Sequence, residues 1–138
     1  PVVRRAGSYH SMSAQWRILR NVETGEVMLA RAKLCKSFWC HFRGLQLVPR
    51  LPDSQGLLFV TGYEGKTHTA IHMFFMLFSI AVIWLDASGK VVDKKLAKPW
   101  RPLYASKSPA QYYVEANPAL LDRVNIGDTL SFSEETKT

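Results

Sequence analysis

Thr69-Ala70-Ile71-His72-Met73-Phe74-Phe75-Met76-Leu77-Phe78-Ser79-Ile80-Ala81-Val82-Ile83-Trp84-Leu85-Asp86 decides the fold class. Its apolar run, Ala70–Leu85, is 16 residues long, contains His72 and stops at Asp86. A helix that crosses a membrane needs roughly 20 apolar residues, so buried strands explain the run better. Aromatic and β-branched side chains suit a pleated surface, and the stretch reads as two strands, Thr69–Phe78 and Ile80–Asp86. Alternation in the first strand sets Ile71, Met73, Phe75 and Leu77 against His72, Phe74, Met76 and Phe78. Both faces are apolar, so each is either covered or lines a pocket or partner surface.

Working outward, more strands follow at short spacing. Glu23-Thr24-Gly25 is a turn signal between Gln15–Val22 and Glu26–Ala30, which predicts a first hairpin. Beyond a loop with Pro49 and Pro52, Gly56–Val60 reads as a short buried strand stopped at Gly62. Asp86-Ala87-Ser88-Gly89 turns the chain into Val91 and Val92, a second hairpin. Lys94–Tyr104, with Pro99 and Pro102, reads as an irregular surface excursion. Tyr112–Glu115 and Thr129–Phe132 are the closing strands, the latter after a Gly127-Asp128 turn.

Two helices are expected among them. In Arg31–Leu45, stepping roughly 100° per residue places Leu34, Cys35, Phe38, Trp39, Phe42 and Leu45 within one arc of about 140°. Lys33, Lys36, Cys40 and Arg43 fall opposite, and Gly44 supplies a helix end. Asn117-Pro118 offers an N-cap followed by proline, opening a short helix through Leu120, Leu121 and Val124. Along a helix, the five steps from Cys35 to Cys40 would rise about 7.5 Å, beyond the Cα separation of up to about 6.8 Å that a disulfide spans. Both cysteines are therefore read as free thiols. Lys36 and Arg43 would lower the Cys40 thiol pKa, although an incidental surface cysteine is the simpler reading. The resulting fold class is mainly β: a sandwich-like or partly open barrel with two short helices packed on it.

The chain of 138 residues suits one domain, and 47% hydrophobic with 21% charged residues is a globular composition. Residues 1–14 are expected to form a mobile basic arm, 15–132 a single β-rich domain, and 133–138 a frayed tail. Residues 1–50 hold nine Lys/Arg against Glu23 and Glu26, so the whole +7 excess lies there, because residues 51–138 balance nine against nine. A one-sided positive field attracts nucleic acid, anionic lipid or an acidic protein, though it also serves simply to keep a small domain soluble. Pro1–Gly7 carries arginines with no apolar core behind them, so no secretory signal is read and a cytoplasmic location is favoured. The first residue is Pro1, not methionine, which leaves open whether a segment precedes it.

Several short patterns resemble, in their order and spacing, the domain-of-unknown-function 192 family. They are Arg43-Gly44-Leu45, Gly56-Leu57-Leu58-Phe59, His72-Met73 running into Leu85-Asp86, and Gly89-Lys90-Val91-Val92. Tyr112-Tyr113-Val114-Glu115 and Gly127-Asp128 complete the series, over roughly residues 25–132. The resemblance implies a mainly β, sandwich-like fold with no assigned activity. Where many members look like Trp-Met-Lys-Asn, this chain reads His72-Met73-Phe74-Phe75, so a polar pair has become two phenylalanines.

No catalytic set is legible. His68 and His72 would share one face of a helix, but in a strand four residues span about 13 Å, too far to share a metal ion. Ser106 and Ser108 lie in a loop, far in sequence from His10 and His41, with no nucleophile elbow or phosphate-cradling glycine loop. Asp86, Glu115 and Asp128 could form a carboxylate pair, yet each adjoins a turn or strand end where acids are common. Trp100 beside Arg101, with Lys94, Lys95, Lys98 and Tyr104, is an aromatic-basic cluster of the sort that stacks bases in single-strand binders. The simpler reading is a loop anchor, with the indole filling a groove and the lysines in water.

The expectation is therefore a binding or interaction module without cofactor or metal. His72, Trp84 and Trp100 would line a small apolar ligand pocket. Alternatively, Lys33, Lys36 and Arg43 would dock the protein onto an anionic macromolecule or larger assembly, with nucleic acid also open as a partner.

Overall fold

Asn21 makes the first turn. Its side-chain oxygen accepts from the amides of Glu23 (2.9 Å) and Thr24 (3.1 Å), and Gly25 follows at a φ of 77° that only glycine adopts freely. The hairpin thus closed joins β1 (Trp16–Asn21) to β2 (Val27–Cys35), as expected. The computed structural model describes residues 15–36, 40, 45, 50–67 and 69–134 of the chain.

Seven strands form one sheet in the order β5-β4-β6-β3-β2-β1-β7, with β3 (Gln55–Gly65), β4 (Ile80–Leu85), β5 (Val91–Ala97), β6 (Ala110–Ala116) and β7 (Leu130–Glu134). Only β2 and β3 run parallel, with Ala32 opposite Gly56. A side chain at Gly56 would put its Cβ 2.6 Å from the Glu115 carbonyl oxygen, so glycine lets three strands approach there. The sheet curls until its two ends touch. Lys90 bridges Thr129, the Val91 amide donates to Asp128 O (2.8 Å), and the Leu130 amide donates to Gly89 O (2.9 Å).

Curling divides the apolar residues in two. The inner core draws on β1 to β7 and includes Leu19, Met28, Leu58, Ile83, Val114 and Leu130, plugged by Leu120 and Val124. The outer layer packs Phe59, Val82, Trp84 and Tyr113 beneath Ile71, Met73 and Met76. Every residue of β4 is buried because both of its faces are covered, and this accounts for its unbroken apolar run.

The mainly β expectation holds, as a curled open sheet, but neither helix forms as expected among the described residues. Arg31–Cys35 is the end of β2, where pairing with β3 overrides the helical spacing. Phe38, Trp39, Phe42 and Arg43 lie outside the described residues. Cys35 is the last residue of β2, so the regular helix assumed between the two cysteines does not start there; Cys35 and Cys40 lie 5.6 Å apart at Cα and form a disulfide. They are not free thiols. Asn117 does cap the second element, accepting from the Ala119 amide, but Pro118–Asp122 is a single 3-10 turn. No helix among the described residues is long and apolar enough to cross a membrane.

Three strand boundaries also move. β3 runs on past Gly62 to Gly65, Lys94–Ala97 belongs to β5, and Thr69–Phe78 is not a strand. In that last segment only Ile71 bridges, to Tyr104, before the chain turns at Phe74-Phe75. The turn shifts the alternation: Ile71, Met73 and Met76 are buried, while Phe75 and Leu77 change to the exposed side.

Candidate functional site

Two excursions cover part of the outer layer, residues 66–79 between β3 and β4 and residues 98–109 between β5 and β6. They are laced together by backbone. Ile71 and Tyr104 exchange both hydrogen bonds at 2.8 Å, the Met73 amide donates to Arg101 O (2.8 Å), and the Trp100 amide donates to Met73 O (2.6 Å).

Their bases are pinned to the sheet. Trp84, wholly buried on β4, donates its indole N–H to Thr69 O at 2.8 Å, and the Thr69 hydroxyl donates to Gly65 O at 2.9 Å. On the other side, buried Asp93 accepts from the amides of Lys94 and Lys107, and Lys95 Nζ donates to Ala105 O (2.7 Å). Lys94 Nζ reaches the carbonyls of Leu121 (2.7 Å) and Val124 (2.8 Å), fixing the 3-10 turn.

At the tip, Phe75 and Trp100 have φ of 63° and 67°, the left-handed region that bulky residues rarely occupy. They are the only non-glycine residues with positive φ among those described. Their rings lie 5.1 Å apart at 59°, yet Phe75 is 50% and Trp100 55% exposed. Phe74, Leu77 and Leu103 are exposed beside them in the same two excursions. Buried Met73 and Met76 lie in the outer layer, so the tip is the outer edge of that core.

The expected pocket residues therefore separate into two roles. His72 and Trp100 stand at the surface on opposite arms of the ladder, with His72 Nδ1 accepting from the Phe74 amide at 3.3 Å. Trp84 is a strut beneath them and exposes nothing to a ligand. The anchor reading of the aromatic-basic cluster is inverted: Lys94 and Lys95 anchor, while Trp100 faces water. Lys33 and Lys36 are exposed on β2 and just beyond it, and Arg43 falls outside the described residues.

The three carboxylates diverge as well. Asp86 Oδ1 accepts from Ser88 N, Ser88 Oγ and Lys90 N; burial opposes its charge, but these bonds outweigh burial and lower its pKa. Asp128 caps the Asn125 amide (2.9 Å). Glu115 sits on the outer face of β6, in register with Leu57 and Val82, where burial pushes its carboxyl up to about 8. Burial, with Glu115 nearby, also raises the Tyr113 phenol, whose ring stacks on Phe59 at 4.4 Å. Sequence reading missed this buried acid, although the apolar residues on both sides of Glu115 in β6 were a signal.

Against known proteins, the model of the domain-of-unknown-function 192 family, described as an uncharacterized ACR, matches residues 20–132. The chain belongs to this family. It is 41% identical over 120 residues to a UPF0127 protein of Thermococcus sibiricus, covering 86% of this chain and 76% of that one. A second UPF0127 protein, from Thermococcus kodakarensis, is 42% identical over 115 residues, covering 82% and 71%. Two crystal structures share the fold. One is a Sinorhizobium meliloti protein whose suggested role is transcription regulation, with TM-score 0.74, 19% identity and coverage of 87% and 94%. The other is a Novosphingobium aromaticivorans protein of unknown function, with TM-score 0.73, 17% identity and coverage of 86% and 84%. Phe74-Phe75, where the resemblance implied a polar pair, is the turn at the tip.

Proposed function

We propose that this family member is a non-catalytic binding module whose contact surface is the aromatic tip around Phe75 and Trp100. The observation that carries the reading is the pair of touching, half-exposed aromatic residues held at positive φ. Backbone strain of this sort costs of order 1–3 kcal/mol per residue and persists only where surrounding structure imposes it. Here the crossing ladder imposes it, and its effect is to hold large apolar groups in water. Buried side chains would not need that expense. A broad apolar surface rimmed by polar groups is what interaction sites look like.

The test is a nuclear magnetic resonance titration that follows the Trp100 indole N–H, assigned with Trp100→Phe. Three probes cover the main partner chemistries: anionic lipid vesicles, an oligothymidine, and an amphipathic peptide. At least one is expected to shift or broaden Trp100 while leaving the Trp84 indole in place. A Trp100 signal unmoved by all three would remove the reading. The same titration addresses the alternative, docking through the basic face. In that case Lys33→Glu/Lys36→Glu would abolish binding and Trp100 would stay silent.

A further inference from the structure

We infer that the partner of the tip is the surface of an anionic lipid bilayer, an inference that rests on the tip being a binding surface at all. Its apolar content is mixed. Trp100 and Phe75 supply aromatic rings, and Leu77 and Leu103, exposed in the same two excursions, supply branched aliphatic side chains. Aromatic side chains are enriched at the headgroup level of membranes, where an amphipathic ring meets both apolar and wet surroundings. Base stacking calls for open, flat ring faces, but here the two rings contact each other at 59° with 5.1 Å between centroids. A base cannot slip between them, and the leucines offer nothing to a phosphate backbone.

Charge points the same way. The excursions 66–79 and 98–109 carry Lys66, Lys98, Arg101 and Lys107, all exposed, and contain no Asp or Glu. The acid-free stretches extend further, over residues 65–85 and 94–114. Lys98 and Arg101 close the turn that carries Trp100. Cations beside an apolar tip suit a negatively charged leaflet, with long side chains reaching the headgroups while the rings enter the interface. Of the neighbouring lysines already committed to backbone carbonyls, Lys95 holds the second excursion and Lys94 the 3-10 turn, which leaves Lys98 and Arg101 for the lipid.

Cosedimentation with large unilamellar vesicles tests this, using phosphatidylcholine alone and an equimolar mixture with phosphatidylglycerol. The protein is expected to pellet with the mixture and not with phosphatidylcholine. Each cation near such a surface contributes about fivefold in affinity, so Lys98→Gln/Arg101→Gln should weaken binding by roughly thirtyfold. Phe75→Ala/Trp100→Ala should also weaken it, by at least about tenfold. The two glutamine changes are at exposed positions, and near-ultraviolet circular dichroism checks that both variants keep the Trp84 environment. Equal pelleting with both lipids would overturn the inference. So would pelleting that neither variant alters, because the contact would then lie elsewhere. If vesicles fail while oligothymidine or the peptide still moves Trp100, the lipid inference falls and the binding surface survives.

Discussion

The inside and the outside of the curled sheet are built by different rules. Inside, residues from all seven strands meet with the 3-10 turn, and Lys94, paired with Ile83 on that face, gives its ammonium to the turn's own carbonyls. Outside, the covering is made of loop backbone, and that layer holds the exceptions: a buried carboxyl at Glu115, a disulfide at Cys35, and two aromatic residues at positive φ. A sheet that secures its fold on one face can tolerate strain and a buried acid on the other. Native proteins that break local rules tend to do so where something other than stability is served.

The sharpest way to break this contrast is to cut into each side and compare. Ile83→Ala, in the inner core, should cost about 2–5 kcal/mol in chemical denaturation. Phe75→Ala at the tip should cost far less, within about 1 kcal/mol. Equal costs would show that the tip carries as much stability as the inner core.

The buried acid comes next in size. Glu115 is raised from its usual value of 4.5 to about 8, so the folded protein keeps its proton after the unfolded chain has lost it. Stability should then fall as pH rises between these limits, by up to about 1.4 kcal/mol per pH unit, and level off above them. Glu115→Gln should flatten that slope and be more stable than the parent at pH 8. A parallel slope in the variant would place the titrating group elsewhere.

Opening the disulfide removes a constraint on a short loop. By loop-entropy scaling, Cys35→Ser/Cys40→Ser should lose about 2 kcal/mol. The smallest effect is the most diagnostic. At Trp100, glycine accepts positive φ and alanine does not, so Trp100→Gly should be about 1 kcal/mol more stable than Trp100→Ala. If alanine is the better replacement, the tip is not strained.

Local chemistry was readable from the sequence and long-range pairing was not. Glu23-Thr24-Gly25, Asp86 and Asn117 each mark a turn within a few residues, and each was placed correctly, although the part of Asn21 in the first turn was not seen. Arg31–Leu45 has a genuine helical spacing of apolar residues, but Arg31–Cys35 follows the register of β3, which lies some twenty residues further along. The free-thiol reading of the cysteines failed with that helix. At the candidate site, His72 and Trp100 were legible as a polar and an aromatic group near one end of the sheet. Trp84 was mistaken for a contact because burial cannot be told from pocket lining by alternation alone. The turn at Phe74-Phe75 left no local mark at all, lacking glycine, proline or asparagine.

The seam between the two sheet ends has a consequence for how the protein is made. Gly89 approaches Leu130 so closely that any Cβ there would lie 2.6 Å from the Leu130 carbonyl oxygen. The partners of that contact, and of Lys90 with Thr129, come from the middle of the chain and from near its end. β7 meanwhile pairs with β1, the first strand. A ribosome delivering residues one by one exposes six strands with an open, apolar trough until residues 127–134 emerge. Strand pairings this distant in sequence belong to slowly folding β topologies, and the nascent chain depends on them arriving before another apolar surface does.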